Sequence, residues 1–486
     1  MQSLAALSLL AAGAAAETVH GVVVFTRHGD RTTKHYGSQQ LTPLGASQNY
    51  QVGSSYRARY LSNDSDHQIL GISPDEYKSS QIYASAPNQG ILSNTATAFL
   101  QGLYPPLTET NEDLATTQLN NGSDSTAPLE GYQYVLLHGV GDESESTIWI
   151  KGDDACPAYQ EATASFADSD VFQQRLDDTK DFYLSMKEYL NDVYDADDDY
   201  LSYENAYDIW DLLNVARIHN ASTKALDISD EDMFQLKTLG DSHEFGSNYN
   251  ASQPARAIGA RTLSGGVLAQ LNETVSSEGK LKFSLLAGSY DTFLAFFGAM
   301  GLVDLSKNFT GLPEYAGTMA FELFSEGRSD ADAGFPSDAD LRVRWLFKNG
   351  TDGELTSYPL FGNDDDVMSW DDFKSEMEER GIGDVGTWCD ICSATESFCA
   401  AYAEGDGSDG SEAEKSAKGG VSPAVGGVIG AVVTLAVVAL VGGVVFAVLR
   451  KRKASAPVAA PVSGDQQTAQ VAGGGKRAGS TSGSSV

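Results

Sequence analysis

The chain has 486 residues, 41% of them hydrophobic, 9% aromatic and 20% charged, enough apolar material to build a core and to exclude wholesale disorder. Acidic residues number 67 and basic residues 32, a formal net charge of −35. A polyanion of this size repels nucleic acid, so no nucleic-acid partner is expected.

In chain order, Met1–Ala16 (MQSLAALSLLAAGAAA) is a short apolar stretch with a small-residue exit, and predicts a cleavable signal peptide over residues 1–16. Gly21–Thr26 (GVVVFT) is a continuous apolar run, as in a strand buried on both faces of a parallel sheet. Ser80–Ala84, Tyr132–Leu137 and Leu281–Ala287 are further strand candidates, with helices expected over Leu92–Gly102 and Asp291–Gly301. That alternation indicates βαβ units. From about 155 to 275 the pattern turns helical: Phe172, Leu176, Tyr183, Met186, Leu190 and Val193 share one helical face, and a second helix covers Glu204–His219. Leu341, Val343, Trp345 and Phe347 then alternate with other positions, and Met319–Phe324 is placed to pair with them in an antiparallel hairpin. The reading is an α/β sheet domain with an inserted helical subdomain.

Four cysteines, Cys156, Cys389, Cys392 and Cys399, are an even number and suit two disulfides. Three pairings are open, and a bond from Cys156 to the C-terminal group would tie distant segments together. A zinc site would need more ligands than one CxxC provides. Residues 403–422 read as a charged, Gly/Ser-rich linker. Residues 425–449 carry no charge and would span about 37 Å as a helix, against a hydrocarbon core of about 30 Å. Arg450–Lys453 follows as a stop-transfer cluster, so a single transmembrane helix is expected, with 450–486 as a disordered cytoplasmic tail. Residues 1–449 carry net −40 and the tail +5. Seven N-x-S/T sequons, at Asn63, Asn121, Asn220, Asn250, Asn272, Asn308 and Asn349, all precede the span. The expected location is a cell-surface or secretory-pathway membrane, with a glycosylated ectodomain over 17–402.

In open α/β sheets the chemistry sits at the carboxyl ends of the strands. After the first strand comes Thr26-Arg27-His28-Gly29-Asp30-Arg31-Thr32, one imidazole between two guanidiniums. Arginine binds phosphate oxygens in pairs, and a neutral imidazole can attack phosphorus. After a later strand comes Gly288-Ser289-Tyr290-Asp291-Thr292, a carboxylic acid at a helix start that could protonate a leaving oxygen. His138, His219 and His243 read as structural or surface residues. The acidic runs at Asp195–Asp199 and Asp364–Asp366 read as solvated surface, and no metal or organic cofactor is required.

VVVFTRHGDRT resembles the signature of the histidine acid phosphatase branch of the histidine phosphatase (phosphoglycerate mutase-like) superfamily. Ser93–Pro105, Ala206–Asn220 and Leu286–Leu302 are similar to three further family segments, so the resemblance covers most of 19–400. It implies a phosphoglycerate mutase-like fold, His28 as the nucleophile, Arg27 and Arg31 as phosphate ligands and Asp291 as proton donor. The chain departs from the family at three places. Tyr290 stands where the family has histidine before the aspartate, Ala84–Thr95 lacks the family's third arginine, and Thr33 replaces a common proline. Tyr290 is the candidate phosphate donor in place of the missing imidazole. The expected function is a membrane-anchored acid phosphatase acting on phosphate monoesters. The alternative is a catalytically degenerate relative that binds a phosphorylated ligand.

Overall fold

The computed structural model describes residues 17–327 and 334–402. The signal peptide, linker, transmembrane helix and tail expected from the sequence lie outside the described residues. Among the described residues, no helix is long and apolar enough to cross a membrane.

Eight strands form one mixed sheet: β1 (Glu17–Arg27), β2 (Ile82–Pro87), β3 (His138–Val140), β4 (Phe283–Gly288), β5 (Thr318–Glu326), β6 (Leu341–Lys348), β7 (Thr356–Tyr358) and β8 (Val367–Ser369). Their spatial order is β8-β6-β5-β1-β4-β2-β3, with β7 paired to β6. The strands β1, β4, β2 and β3 run parallel, and β5, β6 and β8 continue the sheet antiparallel from β1. The expected hairpin is therefore present, in register Phe321 to Trp345 and Leu323 to Val343.

β1 is central and shows why a continuous apolar run was needed. Val22 and Val24 enter one core with Val52, Tyr56, Phe99 and Leu103, while Val23 and Phe25 enter the other with Leu263, Val267, Phe293 and Phe296. Side chains alternate across a strand, so a strand covered on both faces needs apolar residues at every position. The first core belongs to helices α1 (Pro43–Tyr60) and α2 (Gly90–Leu103). α1 starts at Thr42, whose hydroxyl accepts from the Gly45 amide, followed by Pro43 in the first turn.

Between β3 and β4 the chain builds the helical region, including α3 (Ala206–His219), α4 (Asp230–Asn248) and α5 (Ile258–Ser276). α5 packs back on β1, and so its C-terminal half belongs to the sheet's second core rather than to a separate cap. After β4, α6 (Tyr290–Ala299) covers the same face.

Two sequence expectations are corrected. Tyr132–Leu137 is not a strand; pairing with β2 begins only at His138. Leu136 is 55% exposed and Tyr134 70%, so this stretch has no second layer to make it a buried strand. The residues from Phe172 to Val193 do share a buried side, but as three short helices, Asp170–Asp178, Lys180–Ser185 and Lys187–Leu190, broken at Thr179 and Met186.

The disulfides are Cys156–Cys392 and Cys389–Cys399. The first joins positions 236 residues apart, as expected for Cys156. Around it Ile148, Ile258, Ile382 and Trp388 form a small third core. The Trp388 indole donates to the Gly152 carbonyl at 2.8 Å, so the C-terminal segment clamps the loop that carries Lys151 and Asp153.

Candidate active site

The parallel half of the sheet sets the site. Arg27, the last residue of β1, is in register with Gly288, the last of β4. The segments that follow, 28–34 and 289–291, therefore leave the sheet side by side, although 256 residues separate Lys34 from Tyr290.

The turn after β1 is fixed by close backbone packing. A Cβ on Gly29 would lie 2.3 Å from the Gly45 carbonyl oxygen, and one on Gly45 would lie 2.0 Å from that of Asp30. Glycine is needed here for approach to α1. The Gly29 amide donates to Asn49 Oδ1 at 2.7 Å, and Asn49 Nδ2 returns a bond to the Arg27 carbonyl at 3.1 Å.

His28 is 3% exposed. Its Nδ1 lies 2.8 Å from its neighbour Gly29's carbonyl oxygen. A carbonyl only accepts, so Nδ1 carries the proton and Nε2 keeps its lone pair. Burial, then the positive charges of Arg27, Arg31 and Lys34, hold the imidazole's pKa well below 6.5. The ring is thus a neutral nucleophile with a fixed tautomer.

Arg27 and Arg31 are 2% and 0% exposed. Arg27 spends one nitrogen on the Pro313 carbonyl and lies over the rings of Tyr315 and Tyr290, at 4.8 and 5.3 Å. Its Nε and Nη2 are buried without a partner. Arg31 pairs with Asp211 at 3.0 Å and donates to the Tyr207 hydroxyl at 2.8 Å, leaving Nε unpartnered. Burial would lower the Arg31 pKa, but Tyr207 and Asp211 more than reverse this and hold it raised. Buried guanidinium N–H groups left unsatisfied are costly, and a bound tetrahedral anion would satisfy them.

Tyr290 forms the facing wall, 3% exposed. Its hydroxyl donates to Glu244 Oε2 at 2.8 Å and accepts from Lys34 Nζ at 3.0 Å. Burial and then Glu244 raise its pKa well above 10, so it stays protonated. Asp291, next in the chain, lies half-buried in the first turn of α6. Its carboxylate accepts from the Thr292 amide at 3.1 Å and interacts with Lys151 and with Asp153. Burial, then the Asp291 charge, hold the Asp153 carboxyl well above the usual carboxylate range, so the Asp153–Asp291 pair favours retaining one proton between them. The structure thus gathers His28, Arg27, Arg31 and Tyr290 in one group. Asp291 is adjacent to that group but faces the 151–153 loop.

Two clefts flank these residues. One of about 380 Å³ is lined by Arg27, Trp210, Phe234, Lys237 and Tyr315. The other, of about 310 Å³, is lined by Lys34, His35, Tyr207 and Glu244. Away from the site, Glu17, His67 and Glu322 bring ligand atoms within 4.8 Å of one another. The Glu322 carboxylate is already bonded to Arg344, Arg59 and Tyr60, so the donor set is an ion-pair network rather than a cation site.

A model of the histidine phosphatase superfamily (branch 2) matches residues 33–347. The chain belongs to this family. Lysosomal acid phosphatase of Xenopus laevis is 25% identical over 357 residues, 70% of this chain and 71% of that protein. Human prostatic acid phosphatase is 25% identical over 178 residues, 34% of this chain but only 40% of its own length. Among solved structures, apo phytase from Hafnia alvei superposes with a TM-score of 0.50 at 13% identity, over 78% of this chain and 98% of that one. Klebsiella sp ASR1 phytase gives 0.50 and 13%, over 75% and 96%. At this identity the likeness concerns the histidine phosphatase fold.

Sequence reasoning missed Asp211, Tyr207, Glu244, Tyr315 and Lys34. The first three sit on α3 and α4, where a polar residue within a helix reads as solvent-facing. Asp211 is in fact fully buried, and besides Arg31 it accepts from the Thr33 hydroxyl and the Lys34 amide, both at 2.8 Å. His219 is likewise engaged, with Nε2 2.7 Å from Asp30 Oδ2. His138 stacks on Tyr83 at the sheet edge.

Asp211→Ala strips the acceptor from Arg31 and from the 33–34 turn. It should lower unfolding stability by about 3–5 kcal/mol, as for one partner of a buried ion pair, and weaken inorganic phosphate binding. Urea unfolding and calorimetric titration check both; an unchanged midpoint would contradict the pairing.

Proposed function

We propose that this chain is an acid phosphatase that hydrolyses phosphate monoesters through a phosphohistidine at His28. The observation that carries the reading is the neutral, oriented His28 imidazole beside buried guanidinium N–H groups that no protein atom satisfies. The acid phosphatases among its relatives support the same reaction class. Nε2 of His28 attacks phosphorus, the ester P–O bond breaks, and the leaving oxygen takes, through Asp291, the one proton that the Asp153–Asp291 carboxyl pair retains. Water then attacks phosphorus and gives up a proton to the Asp291 carboxylate as the Nε2–P bond breaks, releasing inorganic phosphate and neutral His28. Arg27 and Arg31 neutralise the equatorial oxygens throughout.

A second reading, a phosphate-binding relative without turnover, has two observations in its favour. Tyr290 replaces the imidazole of the related signature, and Ala84–Thr95 supplies no arginine. Losing one preorganised donor typically costs about 10²–10³ in rate, which leaves room for a catalyst, because enzymes reach about 10²¹ over uncatalysed monoester hydrolysis.

We further propose a single-pass topology with the phosphatase domain on the secretory side. In support, Asn63, Asn121, Asn220, Asn308 and Asn349 are exposed and Asn250 and Asn272 half-buried, so no sequon asparagine is buried. All four cysteines are disulfide-bonded.

Turnover of p-nitrophenyl phosphate by the full chain in detergent, beside His28→Ala, tests the first reading. Activity should vanish in His28→Ala; a parent that binds phosphate without turnover would favour the second reading. The inactive form of His28 is the protonated one and its pKa is lowered. Activity should therefore persist as pH falls through 6.5 and be lost only well below it; an acid limb centred at 6.5 contradicts the buried neutral imidazole. Asp291→Asn should lower kcat more than it raises KM, and more for an alkyl phosphate than for the p-nitrophenyl ester, whose leaving oxygen needs a proton less. Equal losses on both esters would remove Asp291 as donor. For the topology, glycosidase digestion of the protein made in eukaryotic cells should lower its apparent mass, and the protein should sediment with membranes; an unshifted, freely soluble protein would refute it.

A further inference from the structure

We propose that Lys34 is the third phosphate-binding cation of this site, and that Tyr290 serves to position it rather than to contact phosphate itself. The inference rests on the phosphatase reading for its chemistry, but its test reads phosphate affinity as well as turnover.

The argument is a count of protons. A phenol carries one, and that of Tyr290 goes to Glu244 Oε2 at 2.8 Å. The same oxygen accepts from Lys34 Nζ at 3.0 Å. Tyr290 therefore has no proton left for a phosphate oxygen. The Lys34 ammonium has three N–H groups, of which one is used here. Among the described residues, no carboxylate comes within ion-pairing distance of Nζ, so two donors remain available.

Position agrees with the count. Nζ lies 5.6 Å from the ring centre of Tyr207 and 5.2 Å from that of Tyr290. Tyr207 is the residue that holds Arg31 by its hydroxyl, and Tyr290 is the ring beneath Arg27. Lys34 thus stands between the neighbours of both arginines, and it is one of the three cations that lower the His28 pKa. Its backbone is fixed as well, since the Lys34 amide donates to the same Asp211 that pairs with Arg31. Glu244 is in turn braced by His243, with Nδ1 3.0 Å from Oε1. The relay His243–Glu244–Tyr290–Lys34 runs from α4 through the first turn of α6 to the loop after β1. It delivers a cation from the loop's exposed rim to a chain that lacks an arginine over 84–95.

The experiment compares Lys34→Met, Lys34→Arg, Tyr290→Phe and the double variant Lys34→Met/Tyr290→Phe with the parent, all as full chains. The readouts are calorimetric affinity for inorganic phosphate and kcat and KM for p-nitrophenyl phosphate. Lys34→Met should weaken phosphate binding and kcat/KM by about 10- to 10²-fold, toward the loss of one preorganised donor, with Lys34→Arg restoring most of it. Tyr290→Phe should lose less, and nothing further in the Lys34→Met background, because its effect acts through Lys34. Thermal midpoints should stay close to the parent for the Lys34 variants, whose side chain starts at the surface. Lys34→Met with affinity within about twofold of the parent, well short of such a loss, overturns the proposal. So does an undiminished Tyr290→Phe loss in the double variant, which would make Tyr290 a direct phosphate ligand. If the parent binds phosphate but does not turn over, the hydrolytic reading fails while the affinity comparison still decides the role of Lys34.

Discussion

Positive charge has to be buried beside an uncharged imidazole, and much of the molecule is arranged to make that possible. Arg27 and Arg31 are almost wholly removed from solvent, where an isolated charge would be prohibitively unstable. Their compensation is partial by construction. Asp211, Tyr207 and the Pro313 carbonyl hold some of the N–H groups and leave Arg27 Nε, Arg27 Nη2 and Arg31 Nε unsatisfied. The site is stable enough to form, yet retains donors whose best partner is a tetrahedral anion. Removing the remaining tension with more carboxylates would stabilise the fold and close the site to its ligand.

This arrangement draws on every layer of the fold. The parallel pairing of β1 with β4 sets the segments 28–34 and 289–291 side by side. The glycine contacts of 29 and 45 press the loop onto α1 and fix where Arg31 points. The helical region then brings Tyr207, Asp211 and Glu244 over the sheet's carboxyl edge, so the inserted helices are part of the site. Even the Cys156–Cys392 bond bears on it, because the segment it anchors carries Lys151 and Asp153 to the back of Asp291.

The histidine phosphatase family explains which residues occur at the end of β1, but this chain is its own variant of the pattern. Where the related signature has an imidazole before the aspartate, Tyr290 has spent its proton on Glu244. A substitution that looks like a loss in the sequence becomes, in three dimensions, one element of a relay that ends on an ammonium group.

His28, Arg27 and Arg31 could be named from the sequence alone, because they fall within five residues and follow an apolar run that reads as a doubly covered strand. The same locality made β1, β4, α2, α6 and the β5–β6 hairpin legible, since a period of two or 3.6 residues is written in neighbouring positions. Tyr132–Leu137 misled for the same reason: its apolar composition is local, but the second layer that would bury it is not there. Lys34, Asp211 and Glu244 carry no local signal at all. Each is a polar residue on a loop or helix whose tertiary partner lies 46 to 256 positions away, and only the packing of α3 and α4 over the ends of β1 and β4 brings the partners together. The sequence determined which groups can do chemistry on phosphate; the tertiary structure decided which charges are paired, which donors stay free and which hydroxyl has no proton to give, because those depend on distances that no linear spacing encodes.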